Sequence, residues 1–296
     1  MSAVQWLEPQ TLQEAVALLH EHAPGAAVLA GGTDLVVHSR ARKTALPVAL
    51  VHIGRIAELA RLHVDSEGRL HLGAMVSHAT IESSGEVKSG WPALADASSI
   101  VGSPATRNVG TVGGNLCNAS PAMEIGAALI VYGAQVTLTG RSGSRTLDVA
   151  EFITGPGKTA RNPDEILTEV VVPPAKSWQG SAYVRLGFRL AMEIAVVGAA
   201  AAVRLDGTGA VADCRIALTA VAPTIIRATG AEEALRGKDP SAERIAEAGE
   251  ASRAHSKPID DVRAPAWYRL DTTAAVTRRA IELALKRARG ATGKEG

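Results

Sequence analysis

The stretch VLAGGTDLVVHSR, residues 28–40, decides how this chain is read. An apolar run, Val28-Leu29-Ala30, stops at Gly31-Gly32-Thr33-Asp34, and a second apolar run begins at Leu35. That order is a strand, a tight glycine turn, and then a helix or a second strand. Such turns hold phosphates, because glycine lets backbone N–H groups approach an anion closely; they also simply turn corners. Just upstream, TLQEAVALLHEHA (11–23) places Thr11 three residues before Glu14, a capping-box start for an amphipathic helix. The short strand AAVLA leads from that helix into the turn.

Bulk composition excludes several classes. The chain has 296 residues, 46% apolar and 21% charged, with 31 basic against 30 acidic residues and a formal charge of +1. Its length favours two domains. The balanced charge offers no concentrated basic face for nucleic acid or a membrane surface. The C-terminal RRAIELALKRARGATGKEG reads as a helix whose basic last turn suits the macrodipole. Two cysteines, Cys117 and Cys214, cannot ligate an iron–sulfur cluster and form no CxxC for zinc. The eight histidines show no HxxxH spacing, and the one HxH, His20-Glu21-His22, falls at the end of the first helix without a cysteine or carboxylate motif around it, so no metal site is expected. No Ser/His/Asp or paired-carboxylate set marks out catalytic side chains. MSAVQWLEPQ has neither a basic n-region nor an apolar h-region, and the longest apolar run, AVVGAAAAV (195–203), is too short for a bilayer. A reduced, cytoplasmic chain without membrane insertion is expected.

Further along, ALVHIGRI, RLHLGAMV and AQVTLTG read as strands, and His78 to Val101 as mostly helical, without the regular alternation of a doubly wound fold. Pro173-Pro174 in VVVPPAKS (170–177) suit neither a helix interior nor a central strand, and mark a boundary. Beyond it, AVVGAAAAVRLDGTGAVADCRIALTAVAP reads as two long strands around a DGTG turn, followed by two helices. The class is α+β. Two nucleotide-motif look-alikes fail their context: GPGKT (155–159) would need its first P-loop glycine at Phe152, and DGTGAVA (206–212) joins two strands. Both read as turns.

The second informative stretch is IVGSPATRNVGTVGGNLCNASPAMEIG, residues 100–126. Glycines at 102, 110, 113, 114 and 126 alternate with small polar residues. It reads either as a long loop able to surround an anion with N–H groups, hydroxyls and amides, or as a glycine-rich connection packed under a sheet.

Read together, AGGTDL and TVGGNLCNASPA resemble the FAD-binding (medium) subunit of the molybdenum hydroxylases. That family includes xanthine dehydrogenase, carbon monoxide dehydrogenase and aldehyde oxidase, with hydroxybenzoyl-CoA, nicotine and caffeine dehydrogenases. LVHIGRIAEL, LHLGAMVSHATI, FITGPGKT, DEILTEVVVPP, MEIAVVGAAAAV, LTAVAPT and PIDDVRAPAWYRLDTTAAVTRRAIE extend the resemblance over nearly the whole chain. It implies a two-lobed FAD-binding domain of the PCMH, or vanillyl-alcohol-oxidase-like, type over residues 1–175, with lobes of about 1–55 and 56–175. A small C-terminal domain with an antiparallel sheet and helices would occupy 176–290, and a tail 291–296.

The resemblance also implies site residues. Ala30, Gly31, Gly32, Thr33 and Asp34 would wrap the FAD pyrophosphate with backbone N–H groups, and Thr111, Val112, Gly113, Gly114 and Asn115 would close on it from the second lobe. Ile100 and Val101 fall where the family sets a residue against the isoalloxazine face. Glu124 stands where the family mostly has Asp, suited to ribose hydroxyls. Leu167 falls where a leucine backbone touches the ring edge, and Arg185 where many relatives have Lys, near the polar end of the ring. Met192-Glu193-Ile194-Ala195 lacks the Trp that carbon monoxide dehydrogenases tend to show there, so CO is a poor substrate candidate. Cys117 reads as a small apolar contact with no cation beside it, Cys214 as a packed strand residue, and His78 as a helix start.

The function so implied is electron transfer, with FAD bound non-covalently and fed from 2Fe–2S clusters in a small partner subunit. A large partner would carry the molybdopterin, typically in a dimer of heterotrimers. The C-terminal domain, with Trp267 and Tyr268 in PIDDVRAPAWYR, is the docking candidate. The alternatives are a stand-alone FAD oxidoreductase of the same fold and a scaffold that has lost its flavin.

Overall fold

A computed structural model describes residues 4–41, 46–189 and 191–292. The N-terminal lobe is built on a three-stranded parallel sheet, with Ala49–His52 between Gln5–Leu7 and Ala26–Leu29. Helix Leu12–Glu21 makes the crossover and buries Ala15, Val16 and Leu19, one stripe at helical spacing. Thr11 caps it by accepting from the Glu14 N–H at 3.2 Å. The Glu14 carboxylate reaches the N–H of Gln10 rather than that of Thr11, so the box is shifted by one residue. The glycine turn leads to a helix, Thr33–Arg40, and not to a second strand.

The second lobe carries a five-stranded antiparallel sheet in the order Leu62–Val64, Leu70–Gly73, Ile166–Val172, Gln135–Gly140, Gly143–Asp148. Six short helices between His78 and Tyr132 cover it. The last of them, Glu124–Tyr132, is buried along its whole length. Most of residues 100–126 therefore is not the long loop read from the sequence. Helices Pro104–Val109 and Val112–Asn118 occupy much of it, and the Ser103 and Thr111 hydroxyls accept from the N–H groups of Thr106 and Gly114 as N-caps. As acceptors, the hydroxyls that looked ligand-directed start helices, which leaves only their O–H donors for a ligand.

Pro173 and Pro174 lie between that sheet and a third one, antiparallel, ordered Gly180–Leu186, Val197–Leu205, Val211–Thr219, Ile226–Arg227. Its small side chains sort by the two-residue period of a strand. Ala200 and Ala202 face the core of the second lobe, whereas Ala199, Ala201 and Val203 face the long helix Ala266–Thr292 and its neighbours. Both faces are dry, which explains the alanine run. The GPGKT and DGTG segments are turns, with Gly157 and Gly209 at positive φ.

PIDDVRAPAWYR does interior work that its sequence conceals. The Arg269 guanidinium, 2% exposed, donates to the Val196 and Ala220 carbonyls and to Asp261. It ties the start of the long helix to one end of the central strand pair, where Val197–Leu205 begins and its antiparallel neighbour Val211–Thr219 finishes. Trp267 is 65% exposed, whereas Tyr268 packs against the C-terminal core. The long helix runs through Thr292, so the tail expected at 291–296 begins inside it; residues 293–296, like 1–3 of the opening stretch, lie outside the described residues. Among the described residues no helix is long and apolar enough to cross a membrane.

Candidate cofactor site

A cavity of about 920 Å³ lies where the two lobes meet, with a rim from the third sheet's 187–196 connection. That volume suits a large organic ligand. The lobes touch at Gly31: a Cβ there would overlap the Val109 carbonyl oxygen, so only glycine permits the approach. Gly32 follows at φ +71 as N-cap of helix Thr33–Arg40, and no side chain caps that helix. Its first-turn N–H groups have no intrahelical partner, so an uncapped start facing a cavity is a donor set for an anion.

The facing segment behaves differently. The N–H groups of Val112 and Gly113 donate to the carbonyls of Val76 and Ala74, at 2.9 and 3.0 Å. Those of Gly114 and Asn115 donate to the Thr111 hydroxyl and carbonyl. The second glycine pair thus contributes shape, not backbone donors: Gly113 is glycine because a Cβ would press into Ala74. What this segment offers is the Asn115 side chain, whose Oδ1 is buried without a partner among the described residues. An orphaned acceptor beside an uncapped helix start fits a polar ligand that brings both phosphate oxygens and donor groups, as a flavin dinucleotide does.

Ala30 to Asp34 line the cavity, as do Thr111, Gly113, Gly114 and Asn115, together with Val101, Glu124 and Leu167. Ile100, Val112 and Arg185 do not. Arg185 is buried behind the wall, its Nη1 donating to Glu124 at 2.9 Å and to the carbonyls of Ile100 and Glu193, each at 3.0 Å. The carboxylate expected at a ribose and the cation expected at the ring are therefore partners of each other. Burial pushes the Glu124 carboxyl up, and Arg185 opposes that rise. Asp34 accepts from the Asn118 side chain across the lobes at 3.2 Å, and burial raises its pKa too.

The fold also brings residues to the wall that no motif announced. His78 opens its helix and is 1% exposed; burial, aided by the Arg107 charge, pulls its imidazole down to about 4, so it is neutral at pH 7. Its Nδ1 has no partner among the described residues. Cys117 and Arg161 meet on the same wall, which corrects the expectation that no cation lies beside this thiol. Cys117 is exposed by surface area, yet the protein crowded around its sulfur outweighs the Arg161 charge and pushes the thiol up to about 11, so it is a poor nucleophile. Met192 and Ile194 arrive from the third sheet's connection, where Met192 has φ +51 and its N–H donates to the Gly102 carbonyl at 3.0 Å. Arg161 and Met192 carry no sequence signal, because only tertiary contact brings them here. Among the described residues no three His, Cys, Asp or Glu side chains gather as metal ligands.

The chain matches two family models. The FAD binding domain in molybdopterin dehydrogenase matches residues 2–175, and the CO dehydrogenase flavoprotein C-terminal domain residues 182–284. It is 36% identical over 213 residues to the nicotinate dehydrogenase FAD-subunit of Eubacterium barkeri, covering 71% of each chain. It is 31% identical over 281 residues to the xanthine dehydrogenase FAD-binding subunit of Escherichia coli O157:H7, covering 95% of each. Among solved structures, carbon monoxide dehydrogenase from Hydrogenophaga pseudoflava superposes with a TM-score of 0.91 at 33% identity, over 96% of this chain and 98% of that one. The chain belongs to the FAD-binding subunits of the molybdenum hydroxylase family. It is a flavoprotein of an oxidoreductase, and its cofactor is FAD.

Proposed function

We propose that FAD lies in this interlobe cavity and relays electrons from 2Fe–2S clusters of a partner subunit to an external acceptor. The observation that carries the placement is the uncapped start of helix Thr33–Arg40, facing a cavity whose opposite wall holds the orphaned Asn115 Oδ1. Gly31 to Asp34 would hold the diphosphate, and Thr111 and Asn115 would face the cofactor by their side chains. Val101 and Leu167 would border the ring system. Gly113 and Gly114 would fix the wall, and Arg185 would hold Glu124 rather than touch the flavin. The bound flavin supplies two-electron and one-electron redox chemistry; the protein supplies position, exclusion of water and electrostatics.

The same reading divides the chain into the flavin domain, 1–175, and a C-terminal domain from 176 to about 290. Two cysteines cannot hold an iron–sulfur cluster, so the clusters, and a molybdopterin, belong on other polypeptides. We infer a large and a small partner, in a dimer of heterotrimers, in the cytoplasm. Segment 259–267, with Ile259, Val262 and Trp267 exposed, is the surface offered to a partner. FAD is held without a covalent bond, since His78 is walled in and the Cys117 thiol stays protonated.

Purification of the chain from its native host under mild conditions tests this. Two further polypeptides, one with molybdopterin and one with iron–sulfur clusters, should co-purify, and acid precipitation should release all the flavin into the supernatant. Recovery of a lone chain that turns over substrate would instead indicate a stand-alone oxidoreductase. Flavin left on the pellet would overturn the non-covalent assignment.

A further inference from the structure

Charge on the cavity wall is almost fully paired. Glu124 meets Arg185 at 2.9 Å, Glu165 meets Arg145 at 2.7 Å, and Glu193 meets Arg189 at 3.2 Å. Asp34 accepts from Asn118 and has no ion-pair partner among the described residues. Arg161 is the cation left over. Its Nη1 is pinned by the carbonyls of Asn162, Pro163 and Glu165, at 3.0, 3.3 and 2.7 Å. Among the described residues its Nε and Nη2 have no hydrogen-bond partner, and it makes no ion pair.

A guanidinium held by one nitrogen, with its other donors unspent on a cavity wall, is preorganised for an anion. Its position favours the cradle end. Its charge is felt at Cys117, near the end of helix Val112–Asn118, and the adjacent Asn118 bonds to Asp34 in the first turn of helix Thr33–Arg40. With Arg161 the wall is neutral. Without it, a diphosphate bringing two negative charges would meet a wall left net negative by Asp34.

We propose that Arg161 is the cationic partner of the dinucleotide's diphosphate, adding one full charge to the backbone donors of the Gly31–Asp34 turn. This rests on the reading of the cavity as the flavin site. It assigns a role to a side chain on the DEIL side of GPGKT, in a segment that the glycine motifs do not include.

The test is flavin titration of the apo-chain by fluorescence, at low and high salt, on wild type, R161Q and R161K. R161Q should bind FAD about tenfold more weakly at low salt, the scale of one charge-assisted hydrogen bond. It should also lose most of the salt dependence that the wild type shows, because the screened charge is gone. R161K, which lacks the three-carbonyl pin but keeps the charge, should stay within about threefold of wild type. R161Q within twofold of wild type, an unchanged salt response, or R161K as weak as R161Q would each overturn the proposal. G31V run in parallel separates the two readings: FAD retained by G31V defeats the cavity assignment itself. Loss in G31V with normal binding by R161Q defeats only the role of Arg161.

Discussion

Gly31→Val is expected to leave a folded chain that no longer retains flavin. The added Cβ would overlap the Val109 carbonyl oxygen, and its nearest neighbours are backbone atoms of Val109 and Gly110. Backbone on both sides cannot step aside as a flexible side chain would, so the lobes must part at the rim of the cavity. Overpacking of this kind costs about 3 kcal/mol, or roughly a hundredfold in affinity. Gly31 and Val109 belong to none of the hydrophobic core clusters, so far-UV circular dichroism should stay near wild type. Flavin content of the purified variant is the measurement; wild-type stoichiometry would mean that the Gly31–Val109 approach does not form the site.

Arg185→Gln should destabilise the chain, and increasingly so as pH rises. The Arg185 and Glu124 side chains are 5% and 9% exposed, and removing one member of a buried pair costs about 3 kcal/mol. Burial already raises the Glu124 carboxyl, and Arg185 is what opposes the rise. In the variant nothing opposes it. A carboxyl whose folded pKa lies above its unfolded value favours the fold when protonated, and that contribution is lost as pH rises past the unfolded value. Thermal melts at pH 5 and pH 8 should therefore show the larger deficit at pH 8, and the double variant Glu124→Gln/Arg185→Gln should recover much of it. A single variant that melts like wild type at pH 8 would contradict the ion-pair account. The geometry also changes an expectation drawn from the family: with Arg185 behind the wall, its main effect is on Glu124 and on the Ile100 and Glu193 carbonyls, not directly on the flavin potential.

Much of the fold is written locally. Thr11 and Glu14, the Pro173-Pro174 break, and the turn glycines at 157 and 209 each act within a few residues of themselves, so sequence reasoning reaches them. The 100–126 stretch was harder, because Ser103 and Thr111 can cap a helix or bind a ligand with the same hydroxyl, and only the geometry chooses. Within the site, Gly32 was legible because its φ of +71 demands glycine, whereas the demand at Gly31 comes from the Val109 carbonyl of the other lobe. The second glycine pair was legible as a motif but not in its role, since the Ala74 carbonyl that takes up the Gly113 N–H lies far back in the chain and the Thr111 hydroxyl takes up that of Gly114. His78, Arg161 and Met192 reach the wall through long-range packing and leave no local pattern to read.

We propose that the diphosphate of FAD sits at the uncapped start of helix Thr33–Arg40. An experimental structure of the flavin-loaded chain tests it most directly. Diphosphate oxygens should lie within hydrogen-bond distance of the N–H groups that follow Gly31, with the Asn115 Oδ1 satisfied by the cofactor. Flavin bound outside the interlobe cavity, or a diphosphate turned away from that helix start with Asn115 still unpaired, would contradict it.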